Sequence, residues 1–307
     1  MSERAPASRH LGLDLGGTNI KWAVVEHDAD GWRTLGHDQV ATLAAEGPEA
    51  VVARLAAVGA DAIARFPGVV SVGVGVAGLY DPAAGTTRLL VNFPGSWAGT
   101  PVTGPIGAAL GLPVSLINDA RAFGLAELHL GAGRGASSMV GITLGTGVGG
   151  VIAVDGRIHQ GHDGTAGEIG HLTIEPDGPW CNCGNRGCLE AFARADQIAA
   201  ACGTTTTEEA VSRARAGDAR AIDGLAQVGR YLGIGLADMI VLITPDRIVI
   251  GGGVAAVGDL LLAPIRAEIR RRVRVTSIDE VEIVTAELGT WAGAIGAAVH
   301  GAESASR

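Results

Sequence analysis

The sequence predicts an α/β protein of two domains, and three observations carry that expectation. Short β-branched runs ending in glycine or polar turns alternate with helically spaced apolar segments, the pattern of a sheet covered by helices. The chain has 307 residues, 47% of them hydrophobic, enough for two cores. Residues 11–25 and 140–154 align without a gap, each reading as a glycine-turned hairpin, so a domain-sized unit begins twice.

In the first hairpin, Asp14-Leu15-Gly16-Gly17-Thr18 places a tight turn between apolar stretches. In the alignment Asp14 falls on Thr143, Gly16 on Gly145, and Gly17-Thr18 on Thr146-Gly147. Residues 49–65 carry Val51, Val52, Leu55, Val58 and Ile63 at helical spacing. A strand over 69–76 ends at Ala77-Gly78. Another over 113–117 ends at Asn118-Asp119, where Asp119 can cap a helix over 120–130. Residues 218–243 are mostly apolar and read as one or two buried helices. A strand over 246–250 runs into Gly251-Gly252-Gly253. Residues 264–273 read as a basic helix whose Arg266, Arg270, Arg271 and Arg272 form a solvated face, and a last helix covers 291–300. The domains are expected at 1–118 (the smaller) and 119–290 (the larger), with the segment 291–307 packing back on the first.

Composition narrows the function. A net charge of −9 and a pI near 5.3 argue against nucleic-acid binding, which needs a basic face. The N-terminus has no apolar leader, and no eighteen apolar residues run uninterrupted, so neither secretion nor a membrane span is expected. A cytoplasmic, reducing setting follows, one in which thiolates bind metal rather than pair.

His171, Cys181, Cys183 and Cys188 fall within eighteen positions. One nitrogen and three sulfurs can close a tetrahedral Zn²⁺ site with no open position, which makes it structural. The alternatives are core cysteines or a disulfide, and the polar, glycine-rich setting argues against both. Glu168 stands three residues before the first ligand and Glu190 two after the last, so a zinc knot here would hold two carboxylates in place. Cys202, in an alanine run, reads as an inert core residue.

The two glycine turns can bring backbone N–H groups to phosphate oxygens, with Thr18 and Thr146 adding hydroxyls, and Asp14 can hold Mg²⁺. Neither is a Walker loop, because no Gly-Lys-Ser/Thr follows, and neither is a dinucleotide turn, because each opens onto a strand. Asn118-Asp119 at a strand end suits a sugar-hydroxyl contact beside a general base, or a plain helix cap; the pair alone leaves both open.

These residues together resemble the ROK family of bacterial sugar kinases and related repressors, over nearly the whole chain. The match runs through both hairpins, Gly75-Val76-Ala77-Gly78, Asn118-Asp119, Glu168-x-x-His171, Cys181-x-Cys183-Gly184-x-x-Gly187-Cys188-x-Glu190 and Gly251–253. The resemblance implies an actin/hexokinase-like (ribonuclease H-like) fold with an interdomain active-site cleft. It implies Asp119 as the base and sugar contacts from Gly78, Asn118, Asp119, Glu168, His171 and Glu190, with Asn92 in the loop 91–97 shaping the sugar pocket. Asp14, Gly16, Gly17, Thr18, Gly145, Thr146, Gly147, Gly251, Gly252 and Gly253 would serve ATP and Mg²⁺, and the knot would hold Zn²⁺. Family repressors carry a helix-turn-helix before the first hairpin, and ten residues before Leu11 are too few for one. The expectation is therefore an ATP-dependent hexose kinase, with glucose at O6 as first acceptor and a homodimer as the assembly. Mannose, allose or an N-acetylhexosamine as acceptor, polyphosphate as donor, and a sugar sensor without turnover are the alternatives.

Overall fold

The computed structural model describes residues 7–90, 93–162 and 164–306. It divides into two compact units, one of residues 1–130 with 290–307 and one of residues 131–289.

In the first unit β1 (Ser8–Leu15), β2 (Asn19–Asp28) and β3 (Gly31–Ala41) form an antiparallel meander. On its other edge β1 runs parallel to β4 (Val69–Val76), and the small hairpin of β5 (Gly78–Asp81) and β6 (Thr86–Leu90) follows β4. Then β7 (Val114–Asn118) joins β4 in parallel, so the sheet order is β3-β2-β1-β4-β7. Helix α1 (Pro48–Arg65) begins on a proline, whose missing N–H costs nothing there, and buries Val51, Val52, Leu55, Val58 and Ala62. Helices α2 (Thr103–Leu110) and α3 (Asp119–Leu130) complete the part that precedes residue 131.

The second unit repeats the plan. β8 (Ser138–Leu144), β9 (Val148–Val154) and β10 (Arg157–Ile158) are antiparallel neighbours. Parallel to β8 lie β11 (Arg247–Gly252) and, beyond it, β12 (Glu282–Thr285), giving the order β10-β9-β8-β11-β12. The sequence repeat is thus a repeat of sheet topology. Around the cysteine segment come α4 (Glu190–Ala193), α5 (Ala195–Cys202) and α6 (Thr207–Arg215). Residues 218–243 form one helix, α7 (Ala219–Ile243), capped by the Asp218 carboxylate accepting from the Ala221 N–H at 2.9 Å. By length and composition α7 can cross a membrane. Here its Leu225, Val228, Leu232, Leu236 and Ile240 stripe is the centre of the second core.

Two expectations are corrected by packing. The basic helix α8 (Asp259–Arg272) starts five residues before Pro264, which it takes into its interior. Arg270, Arg271 and Arg272 are exposed as expected, but Arg266 is half-buried and donates to the Asp259 carboxylate at 2.8 Å and to Ile283 O at 2.7 Å. Arg271 and Arg272 pair with Glu268 at 2.6 and 2.5 Å, and these bonds hold the Glu268 carboxyl down at about 2. The unit boundary also lies after Leu130 rather than after residue 118, because α3 packs against the returning helix α9 (Ala292–Ala305).

That helix approaches closely because its contacts are glycines. A Cβ on Gly12 or Gly73 of the sheet would fall on the Ala294 or Ala297 carbonyl of α9, and one on Gly296 would fall on the Ala122 carbonyl of α3. Backbone cannot give way as a flexible side chain can. Gly73→Ala is therefore expected to destabilise the protein by about 3 kcal/mol in denaturant unfolding. An unchanged midpoint would refute the close approach.

Candidate functional site

Parallel pairing aligns the carboxyl ends of the first sheet. Asp14 stands opposite Gly75, and Val76 opposite Asn118, so Asp14, Gly78 and Asn118-Asp119 collect at one edge. The helix cap is not the expected residue. The Asn118 side-chain oxygen accepts from the Ala120 and Arg121 N–H groups at 3.0 and 3.3 Å. Asn118 Nδ2 donates to Gly78 O at 3.3 Å and to Asp119 Oδ1 at 3.0 Å, and Ala120 N–H reaches the same Oδ1 at 2.9 Å. Asn118 thus does the capping and orients the Asp119 carboxylate. Gly78 is constrained by its neighbour strand: its φ is 146°, and a Cβ would strike the Leu89 carbonyl.

The first glycine turn closes with Gly16 N–H donating to Asn19 O at 3.1 Å. Thr42, fully buried, braces it from outside: its hydroxyl donates to Gly16 O at 2.6 Å and its N–H to Thr18 O at 2.8 Å. Thr42 lies 26 residues from Gly16, so no local pattern marks it. Asp14 is packed where a Cβ on Gly293, in the first turn of α9, would meet its Oδ2 at 2.6 Å. Burial pushes the Asp14 carboxyl up to about 6, Lys21 pulls it down and Asp119 pushes it further up.

A raised carboxyl pKa means the folded state holds the proton longer than the unfolded chain does. Stability then falls as pH rises from about 4 to about 6 and stays reduced above that. By area Asp14 is only half-buried, which tempers the size of the effect. Asp14→Asn is expected to raise ligand-free stability at pH 7 by on the order of 2 kcal/mol, with the gain vanishing near pH 4. Chemical denaturation at both pH values checks this; a gain independent of pH would be wrong for it.

In the second unit the glycine turn closes through Gly145 N–H to Gly147 O at 2.9 Å. Gly251 and Gly252 lie beside it, paired with Thr143 and Leu144, and Gly252 (φ 95°) leaves no room for a side chain over the Leu144 backbone. Gly253 opens to free space. The Glu168–His171 segment packs flat on β9 because Gly150 and Gly170 carry no Cβ: one on Gly150 would strike Gly167 O, and one on Gly170 would strike Val148 O. Glu190 is not simply exposed beside the cysteines. Its Oε2 accepts from Val148 N–H at 2.9 Å, and its Oε1 lies 3.6 Å from Cys181 Sγ. Of the expected site residues, Asn92 lies outside the described residues.

His171, Cys181, Cys183 and Cys188 come together with their ligand atoms within 4.8 Å of one another. Cys183 Sγ and Cys188 Sγ are 3.7 Å apart, and Cys181 Sγ is 3.8 Å from His171 Nδ1. Tetrahedral Zn–S bonds of about 2.3 Å separate two sulfurs by about 3.8 Å, so the donor set fits zinc. The fit also explains an otherwise awkward cluster. Burial pushes the Cys181 thiol up to about 12 and the Cys188 thiol upward, while the Asn185 N–H lowers that of Cys183. A cation supplies the charge that would let all three ionise.

Residues 10–302 match the model of the ROK family, and the chain belongs to that family. It is 33% identical over 312 residues to a glucokinase of Thermotoga maritima, covering 95% of this chain and 97% of that one. Among solved structures it resembles a ROK family glucokinase from Streptomyces griseus in complex with glucose and AMPPNP. That likeness has a TM-score of 0.80 at 32% identity, over 96% of this chain and 100% of that one. A ROK family transcriptional regulator, a homologue of the E. coli MLC protein, is similar at TM-score 0.82 and 28% identity, over 95% of this chain and 77% of the regulator. The protein has the mixed α/β two-domain fold of ROK kinases.

Proposed function

We propose that this ATP-dependent sugar kinase phosphorylates a hexose, glucose at its 6-hydroxyl. The observation that carries the proposal is the Asn118-Asp119 pair: Asn118 caps α3, and Asp119 is left as a carboxylate held by two N–H donors at the sheet's carboxyl edge. In the reaction Asp119 accepts the O6 proton as the O6–P bond forms and the bond from phosphorus to the ADP oxygen breaks. Glu168, His171 and Glu190 contribute hydroxyl contacts. His171 turns Nδ1 toward Cys181, so its Nε2 is the nitrogen assigned to the sugar. The turns at Gly16–Thr18 and Gly145–Gly147 bind phosphate through backbone N–H groups, and the glycines at 251–253 let backbone approach the adenosine. Asp14 would hold Mg²⁺ bound with ATP, and that ion would supply neutralisation of the phosphate charge. Zn²⁺ at the cysteine cluster is structural. The same reading places the protein in the cytoplasm as a homodimer.

Coupled ADP release over a panel of glucose, mannose, allose and N-acetylhexosamines, with ATP and separately with polyphosphate, tests this. Glucose with ATP is expected to give the highest kcat/KM. Another sugar leading would move the acceptor, and sugar binding without any phosphorylated product would make the protein a sensor.

A further inference from the structure

The segment that follows the last cysteine grips the second glycine turn from both sides. Glu190 Oε2 accepts the Val148 N–H at 2.9 Å, and the Ala195 N–H donates to Gly145 O at 2.8 Å. Gly147 lies so close to the carboxylate that a Cβ there would sit 2.5 Å from Oε2. The other oxygen of the same carboxylate touches Cys181, one of the four clustered ligands. A single short side chain therefore spans the metal-ligand cluster and the turn.

We propose that Glu190 is a positioning residue for the nucleotide, tying the fold of the cysteine cluster to the Gly145–Gly147 turn, so that loosening the cluster weakens phosphate binding as well as sugar binding. This rests on the assignment of that turn to the ATP phosphates. A turn made of two glycines and an exposed threonine has little side-chain packing of its own. Its backbone placement comes from polar ties to its neighbours, and two of those ties come from residues 190 and 195. A carboxylate that only gripped sugar would not need its second oxygen committed to the N–H of the strand leaving the turn.

The test is AMPPNP affinity without sugar, by calorimetry on the metal-loaded protein, together with hydrogen exchange at the Val148 amide. Glu190→Ala is expected to weaken AMPPNP roughly tenfold, the effect of losing a charge-assisted hydrogen bond, and to expose the Val148 amide to exchange. Glu190→Gln, whose side-chain carbonyl still accepts from Val148, should stay near wild type in both. Gentle chelation of wild type, with the chelator removed and Mg²⁺ restored before titration, should move affinity and exchange in the direction of Glu190→Ala, and the same treatment of that variant should add little more. Thr146→Ala serves as the control for the turn itself. If Thr146→Ala weakens AMPPNP while Glu190→Ala does not, the coupling is wrong and the phosphate assignment stands. If neither changes AMPPNP affinity, the phosphate assignment fails. Should the chelated protein unfold, the contrast between the Ala and Gln variants on loaded protein still decides.

Discussion

Asp119→Asn is expected to lower kcat by roughly two to four decades, the range for a lost general base, with sugar affinity close to wild type. Asparagine keeps the side-chain oxygen that accepts from Asn118 Nδ2 and from the Ala120 N–H, so the local geometry survives. What it cannot do is accept the hydroxyl proton. A competing explanation, that Asp119 merely caps α3, has a separate signature. Removing a true N-cap costs about 1 kcal/mol. Because Asn118 holds the cap, that loss is expected for Asn118→Ala and not for Asp119→Ala. Single-turnover kinetics, sugar titration and melting curves on the three variants separate the roles. Near-normal turnover in Asp119→Asn would remove the residue from the chemistry.

Cys183→Ser is expected to strip the metal and to lower unfolding free energy by about 4 kcal/mol, the size of effect reserved for losing a structural metal or its equivalent. The choice of cysteine matters. Cys183 is exposed, whereas Cys181 and Cys188 are buried. A one-atom change at an exposed thiol has almost no packing cost, so a large loss at this position can only come from ligation. Elemental analysis and denaturant unfolding are the measurements. Wild-type protein without bound zinc, or a variant as stable as wild type, would overturn the metal assignment.

The parts of this protein that were legible in its sequence are those written in neighbouring residues. The glycine turns announced both hairpins, and their alignment at residues 11–25 and 140–154 announced the repeated sheet that the topology displays. The spacing of His171, Cys181, Cys183 and Cys188 foretold a four-donor cluster, because ligands on a short loop must meet locally. The apolar stripe of α1 and the strand before Asn118 were equally readable.

What the tertiary structure alone decided are the pairings across long stretches of chain. Thr42 bracing Gly16, Glu190 reaching Val148, and the close seating of α9 on Gly12 and Gly73 each depend on which surfaces pack together. The transfer of the capping role from Asp119 to Asn118 is the local version of the same point. Both residue types cap helices well, and the choice fell to where β7 ends against Gly78. Propensity and spacing act within a turn or a hairpin. Hydrogen bonds and close glycine contacts between distant segments form only once the cores have placed the two backbones together, so they leave no periodic or compositional trace in the chain.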